Sequence, residues 1–332
     1  MGTGCSAHSS VHVQSPQDNA RKGIRKKLSI EDQTNQRRKL IFQNEMLASS
    51  FVEFSSPRNG RHIKWRRGEI IGEGAYAKVY QCINLNNGEL MAAKSFYLGD
   101  DPKKIEKEFE NMKKEVSLLR NLDHPNIVHY YQTDLSSDMY TIDVLLEYVP
   151  GGSLKTILQK YRTLEVEIIR NYAKQLLEGL SYLHANFIVH RDLKSANVLI
   201  TSQGVVKLTD FGSSIKFNES DVALSKSLRG SPYWMAPEVV LRYGHSFAAD
   251  IWSFGCVLIE MITGHPPWSN FSKETRAVLN LISKENSLPT IPNTEVELKD
   301  IITACICRNP KLRPTTDEIL AMPFFQFSLE GK

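Results

Sequence analysis

Apolar residues recur at helical spacing in two long stretches. Ile105, Phe109, Met112, Val116 and Leu119 fall 4, 3, 4 and 3 residues apart, one face of an α-helix. Ile168, Ile169, Tyr172, Ala173, Leu176, Leu177, Leu180 and Leu183 mark a longer helix, expected in the core. Elsewhere the pattern shortens to strands. Residues 69–97 read as three of them, bending at Gly72 and Gly74 and turning again at Asn86-Asn87-Gly88, where Asn-Gly tolerates the positive φ of a tight hairpin. Asp123–Val128 should end the first helix and open a strand, and Tyr140–Glu147 should form another. Two short strands, Val198–Thr201 and Val205–Thr209, flank Gln203-Gly204. Asp250 opens a further apolar helix through Ile251-Trp252-Ser253-Phe254-Gly255. Tyr148-Val149-Pro150-Gly151-Gly152-Ser153 reads as a hinge between a strand-rich part, about 65–146, and a helix-rich part, about 153–327.

Ahead of these elements the pattern fades. Residues 1–38 are rich in Ser, Gln, Asn and Lys/Arg, a composition expected to stay disordered. Residues 40–54 are more apolar and suit a short helix or a partner contact, and Ser55–Gly60 reads as a linker. The expected organisation is a basic tail over 1–64, a folded domain over 65–327 and a short tail over 328–332. Charge follows that division. The net charge is +4, but residues 1–64 carry 11 Lys/Arg against 5 Asp/Glu, which leaves the folded part net acidic. A basic face on the folded part is missing, so no nucleic-acid partner is expected. No apolar run reaches 18 residues, and the N-terminus lacks a signal-like core, so a cytoplasmic protein is expected. The five cysteines are scattered and read as buried thiols rather than a disulfide framework.

The tail carries one motif. Met1-Gly2-Thr3-Gly4-Cys5-Ser6 fits the N-myristoylation pattern on Gly2, with Cys5 placed for a second acyl chain. A single myristoyl chain binds membrane marginally, so Cys5 or the basic run Arg21–Lys27 would supply the second signal toward an anionic membrane surface.

The folded part carries a phosphoryl-transfer set in order. In Ile188-Val189-His190-Arg191-Asp192-Leu193-Lys194-Ser195-Ala196-Asn197, Asp192 is spaced to accept a proton from a substrate hydroxyl. Lys194 offers charge to the phosphate in transfer, and Asn197 holds Mg²⁺. Asp210, in Asp210-Phe211-Gly212, is the second metal ligand. Upstream, Ile71, Gly72, Glu73, Gly74, Ala75, Tyr76 and Ala77 form a loop whose amides approach the ATP phosphates. Val79 covers the adenine, Lys94 pairs with the α- and β-phosphates, and the main chain of Glu147 to Val149 faces the base. Lys94 needs a carboxylate partner, and spacing alone leaves Glu108 and Glu115 equal. Between Asp210 and Glu238 lie several serines. A phosphate on Ser225 or Ser227 would pair with Arg191, whereas Ser231 is placed to touch Asp192 and Lys194. Asp250 should brace the catalytic loop's main chain, and Arg313 should pair with Glu238.

Together these motifs resemble a eukaryotic protein kinase domain over residues 65–327, 263 of the 332 residues. The resemblance implies an α+β, two-lobed fold with a β-rich N-lobe and a mainly helical C-lobe, and ATP and Mg²⁺ in the cleft. It also selects Glu115, which begins E-V-S-L-L-R-N-L-D-H-P-N-I-V, as the partner of Lys94. Lys194 is similar to the serine/threonine kinases. Trp65-Arg66-Arg67-Gly68-Glu69 and G-S-P-Y-W-M-A-P-E-V-V resemble the MEK-kinase class of the STE group, the MAP kinase kinase kinases. That likeness implies a MAP kinase kinase as protein substrate and an upstream activating kinase. Ste20-like kinases share P-Y-W-M-A-P-E and are the alternative; a pseudokinase scaffold would lack the catalytic residues that stand here. Ala77 in place of the third glycine and Ser231 in place of the usual Thr are the visible departures.

Overall fold

The computed structural model describes residues 62–74, 77–97, 102–136, 141–217 and 229–326, with the side chains of the first helix described from Phe109 onward. All of them lie in one unit of the chain, Ala48–Lys332. Gly2, Cys5, Ala75, Tyr76, Ser225 and Ser227, and the side chains of Ile105 and Glu108, lie outside the described residues.

The first half is a five-stranded antiparallel sheet of β1 (Trp65–Glu73), β2 (Ala77–Asn84), β3 (Leu90–Tyr97), β4 (Tyr130–Leu135) and β5 (Thr141–Glu147). Their order is β1-β2-β3-β5-β4. β1 begins four residues earlier than the glycine pattern suggests, because Trp65, Arg66 and Arg67 pair with Asn84, Ile83 and Cys82. The register sets Val79, Lys94 and Val144 side by side on one face. The other face carries a small core of Cys82, Met91, Ala93 and Leu145, covered by Ile63, Trp65, Tyr80 and Tyr131. Helix α1 (Pro102–Leu119) buries Phe109, Met112, Val116 and Leu119, the face its spacing foretells.

The expected strand at Asp123–Val128 does not form there. Ile127 makes one parallel bridge to Leu208, and the ladder starts only at Tyr130. The cause is a competing anchor: Asn126 Nδ2 donates to Val206 O, and Leu208 N donates back to Asn126 O. This stretch is hydrogen-bonded to the second half of the molecule rather than to the sheet.

Past the linker Tyr148–Gly152, Ser153 caps α2 (Leu154–Tyr161). Helix α3 (Val166–Ala185) buries Ile169, Ala173, Leu176, Leu177, Leu180 and Leu183. Ile168 is 40% exposed, against expectation; one residue rotates about 100° around a helix, and Ile169 takes the core position. Short strands follow: β6 (Ile188–Val189) pairs with β9 (Ile215–Lys216), and β7 (Val198–Ile200) with β8 (Val206–Leu208). After α4 (Pro237–Val240) comes α5 (Phe247–Thr263), buried at every position from Ala249 to Met261. A helix apolar around most of its circumference belongs at the centre of a core. The remaining helices, α6 (Thr275–Ser283), α7 (Val296–Cys305), α8 (Thr316–Leu320) and α9 (Pro323–Gln326), complete the second half. Cys82, Cys256 and Cys305 are buried free thiols; Cys307 is only half-buried, short of the expectation.

Candidate active site

The site is assembled from turns held at the ends of these elements. The β1–β2 turn brings Gly74 N to 2.9 Å from Ala77 O, and Glu73 pairs with Lys78 across it at 3.3 Å. Ile71 is exposed, and Val79 lies opposite Lys94 in the ladder. In the linker Val149 is buried. The Glu147 carboxylate binds Lys207 at 2.8 Å and accepts from His129 N, so main chain is what this segment can offer a base.

Lys94 Nζ sits 2.6 Å from Glu115 Oε1 and 3.0 Å from Asp210 Oδ1. Burial opposes the lysine's charge, but the carboxylates of Glu115 and Asp210 outweigh it and hold the ammonium above the ordinary lysine range. Burial likewise works against the Asp210 carboxylate, and Lys94 overcomes it, so its pKa falls below the ordinary value. Asp210 has φ 64°, a left-handed conformation that Asp tolerates better than most residues. Gly212 packs beneath the pair. A Cβ there would stand 3.1 Å from Glu115 Oε2, so a side chain would crowd the carboxylate that Lys94 needs.

Asp192 lies in the loop between β6 and the turn Ser195–Asn197. Lys194 Nζ donates to Asp192 Oδ2 and to Ser231 Oγ, both at 2.7 Å. Asn197 Nδ2 donates to Asp192 O at 2.8 Å and to Oδ2 at 3.2 Å. Asp192 Oδ1 is shielded and accepts no hydrogen bond among the described residues. One oxygen of this carboxylate is therefore fixed by two donors, and the other is an unmet acceptor. A buried acceptor in that state costs about 1–3 kcal/mol until a donor reaches it.

The loop is held from below. Asp250, fully buried in α5, accepts from His190 N at 2.8 Å, Arg191 N at 2.9 Å and the His184 ring at 3.0 Å. These bonds hold Arg191 at φ 67°, strained for a residue with a long side chain. Gly230, at φ 112°, passes close enough that a Cβ would lie 2.7 Å from Arg191 O, so the segment carrying Ser231 can only approach the loop as glycine. Two further α5 residues reach the same region, and neither carries a signal in the hydrophobic pattern. Glu260 accepts from Ser195 Oγ at 2.6 Å and Trp234 Nε1 at 3.0 Å, and Ser253 Oγ donates to Trp234 O at 2.8 Å. Both are polar residues inside an apolar run, where periodicity is silent.

The donor set suits a hard cation. With Asn197 Nδ2 committed to Asp192, its amide oxygen is what remains to offer, beside the Asp210 carboxylate. Among the described residues no cluster of three His, Cys, Asp or Glu could hold a metal. Mg²⁺ needs no such cage, since it binds through one or two protein oxygens together with substrate phosphates.

The Protein kinase domain family matches residues 65–325. The chain belongs to that family. Its two-lobed α+β architecture, with the antiparallel sheet in the N-lobe and helices in the C-lobe, is that of a kinase domain. Among similar proteins is mitogen-activated protein kinase kinase kinase 2 of Arabidopsis thaliana, 44% identical over 82% of this chain and 43% of its own length. Mitogen-activated protein kinase kinase kinase A of Dictyostelium discoideum is 45% identical over 80% of this chain and 28% of its own. Mitogen-activated protein kinase kinase kinase 3 of Homo sapiens is 38% identical over 80% and 42%. The kinase chain thus spans less than half the length of these curated relatives. Among its described residues no helix is long and apolar enough to cross a membrane.

Proposed function

We propose that this kinase transfers the γ-phosphate of ATP to a serine or threonine hydroxyl in the activation loop of a MAP kinase kinase. The observation that carries the reading is the state of Asp192: one oxygen is pinned by Lys194 and Asn197, and the other lacks a donor. An acceptor hydroxyl would donate to Oδ1, which orients its oxygen and takes its proton as the bond to phosphorus forms. Lys194 stays beside the transferred group and offsets its charge, while Ser231 fixes the lysine. Lys94, positioned by Glu115, holds the nucleotide's phosphates under the Gly72–Gly74 turn. The main chain of Glu147 and Val149 faces the adenine, with Ile71 and Val79 above it. Asn197 and Asp210 would hold Mg²⁺, which neutralises phosphate charge when bound. Catalysis of this kind is mainly positioning and electrostatics. Asp192→Asn tests it: phosphorylation of a kinase-dead MAP kinase kinase should fall by orders of magnitude while ATP binding persists. Undiminished transfer would sink the assignment. A preference for substrates other than MAP kinase kinases would favour a Ste20-like role instead.

Two finer readings belong with it. A phosphate on Ser225 or Ser227, added by an upstream kinase, would be drawn to Arg191 and Arg229. Burial and the nearby Arg229 charge together push Arg191 down to about 10 against the pull of Asp250, and an anion would offset the repulsion between the two arginines. Gly2, with Cys5 or the Arg21–Lys27 run as second signal, would anchor the tail to an anionic membrane. Unchanged membrane fractionation of Gly2→Ala would dismiss the anchor.

A further inference from the structure

The sheet face turned away from Lys94 holds a buried carboxylate that the reaction does not use. Asp143 sits in β5 and is 3% exposed. Its partner across the ladder is Ser95, the residue after Lys94, and Ser95 Oγ donates to Asp143 Oδ1. Arg67, 76 residues earlier in β1, brings Nη2 to 2.6 Å from Oδ1 and 2.8 Å from Oδ2. β1 and β5 are not neighbours, because β2 and β3 lie between them. Arg67 therefore crosses the back of the sheet, and its guanidinium passes 4.6 Å from the Tyr80 ring of β2. A single carboxylate fastens β1 to β3 and β5 on the face behind Lys94.

The location of the fastening matters. Just beyond Arg67 the β1–β2 ladder shifts register, between Arg67 and Ile70 and again between Ile70 and Gly72. Such irregularities bend a strand and leave residues unpaired. The stretch from Arg67 to Gly72 is thus a loosely laddered arm. Its tip is the glycine turn, and its root is tied to Asp143. Apolar neighbours could fill the same space, since buried ion pairs add little net stability over well-packed apolar groups. What the pair contributes is direction: a charged hydrogen bond to a fixed carboxylate sets angle as well as distance.

We propose that Asp143, acting through Arg67 and Ser95, is a positioning residue that sets the height of the Gly72–Gly74 turn above Lys94. The proposal rests on reading Gly72, Gly74 and Lys94 as the site of the nucleotide phosphates.

The test is steady-state kinetics on the full chain, with melting temperature recorded beside it. Asp143→Asn should raise KM for ATP about tenfold and leave kcat at saturating ATP within about twofold, the pattern of lost ground-state positioning. Ser95→Ala, which removes one donor without stranding a charge, should raise KM for ATP less, in the same direction, and it carries the test if Asp143→Asn does not fold. Combining Arg67→Gln with Asp143→Asn should cost no more than the worse single change, because both act through one contact. Unchanged KM for ATP in folded Asp143→Asn and Ser95→Ala would overturn the proposal and leave a purely structural pair. A fall in kcat at constant KM would overturn it equally. Lys94→Met, measured in parallel, separates the two readings: full activity there would undo the nucleotide site itself, whatever Asp143 does.

Discussion

Arg313 and Glu238 lie 75 residues apart and meet two-pronged in the core, Nη1 to Oε1 at 2.6 Å and Nη2 to Oε2 at 2.7 Å. The arginine side chain is fully buried, and it donates as well to Ala248 O and Cys307 O. Arg313→Met would leave the Glu238 carboxylate uncompensated in the interior. The expected loss is about 3–5 kcal/mol in urea unfolding. The double change Arg313→Met with Glu238→Leu should recover part of it, since no charge is then stranded.

Lys94 has two carboxylate partners, and they are unequal. Glu115 is 7% exposed at its side chain and Asp210 45%. Glu115→Gln should let Lys94 swing toward Asp210 and away from the phosphates. Turnover at saturating ATP is expected to fall roughly 10²- to 10³-fold, the scale of losing one preorganised electrostatic group. Thermal stability should change little, because Lys94 keeps Asp210 as a partner and its charge is not stranded.

Ser231 is read best by two substitutions. Its hydroxyl accepts from Lys194 Nζ at 2.7 Å. Ser231→Thr keeps that oxygen and should hold kcat within about threefold, whereas Ser231→Ala frees the lysine and should lower kcat roughly tenfold or more. Equal kinetics for the two variants would show that Lys194 needs no second anchor.

Asp250 makes stability depend on acid. Burial pushes its carboxyl up, but the His184 hydrogen bond and charge, His190 and the Arg191 main chain pull harder, leaving it below the ordinary 3.8. With the folded value below the unfolded one, the unfolded chain binds the extra proton as pH falls. Its contribution is complete above about pH 4 and drains away at lower pH. The stability gap between wild type and Asp250→Asn, measured by denaturant titration, should therefore narrow as the pH falls below about 4.

Much of this could be read in the chain before the fold was known. Local chemistry was plainest: the Asp192 loop, Asp210, Lys94 and the α1 face each carry their signal within a few residues. Asp250 is legible too, because a charge placed against an apolar run demands a partner, and the Arg313–Glu238 pair is legible from the motifs that carry its two members. Ile168 and the Asp123–Val128 stretch depart from their patterns, since a one-residue rotation and a side-chain anchor at Asn126 leave no trace in periodicity. Glu260 and Asp143 were missed for a related reason. Each is buried, and each is defined by contacts 26 to 76 residues away, which depend on strand order and helix placement rather than on neighbours in sequence.

Helix α5 carries Asp250, Ser253 and Glu260 inside an otherwise apolar surface, and each of them bonds to the loops of the active site. A core helix of this kind audits what is built upon it. If the catalytic loop or the Trp234 segment docks wrongly, polar groups on α5 are sealed away from water with hydrogen bonds unmade, at about 1–3 kcal/mol each. Mis-assembled conformers are thereby raised in energy at the centre of the molecule, where they are least able to relax. Fidelity of the active site is thus written into the solvation of the core, so a chain that has completed its C-terminal half has already aligned the loop that holds Asp192.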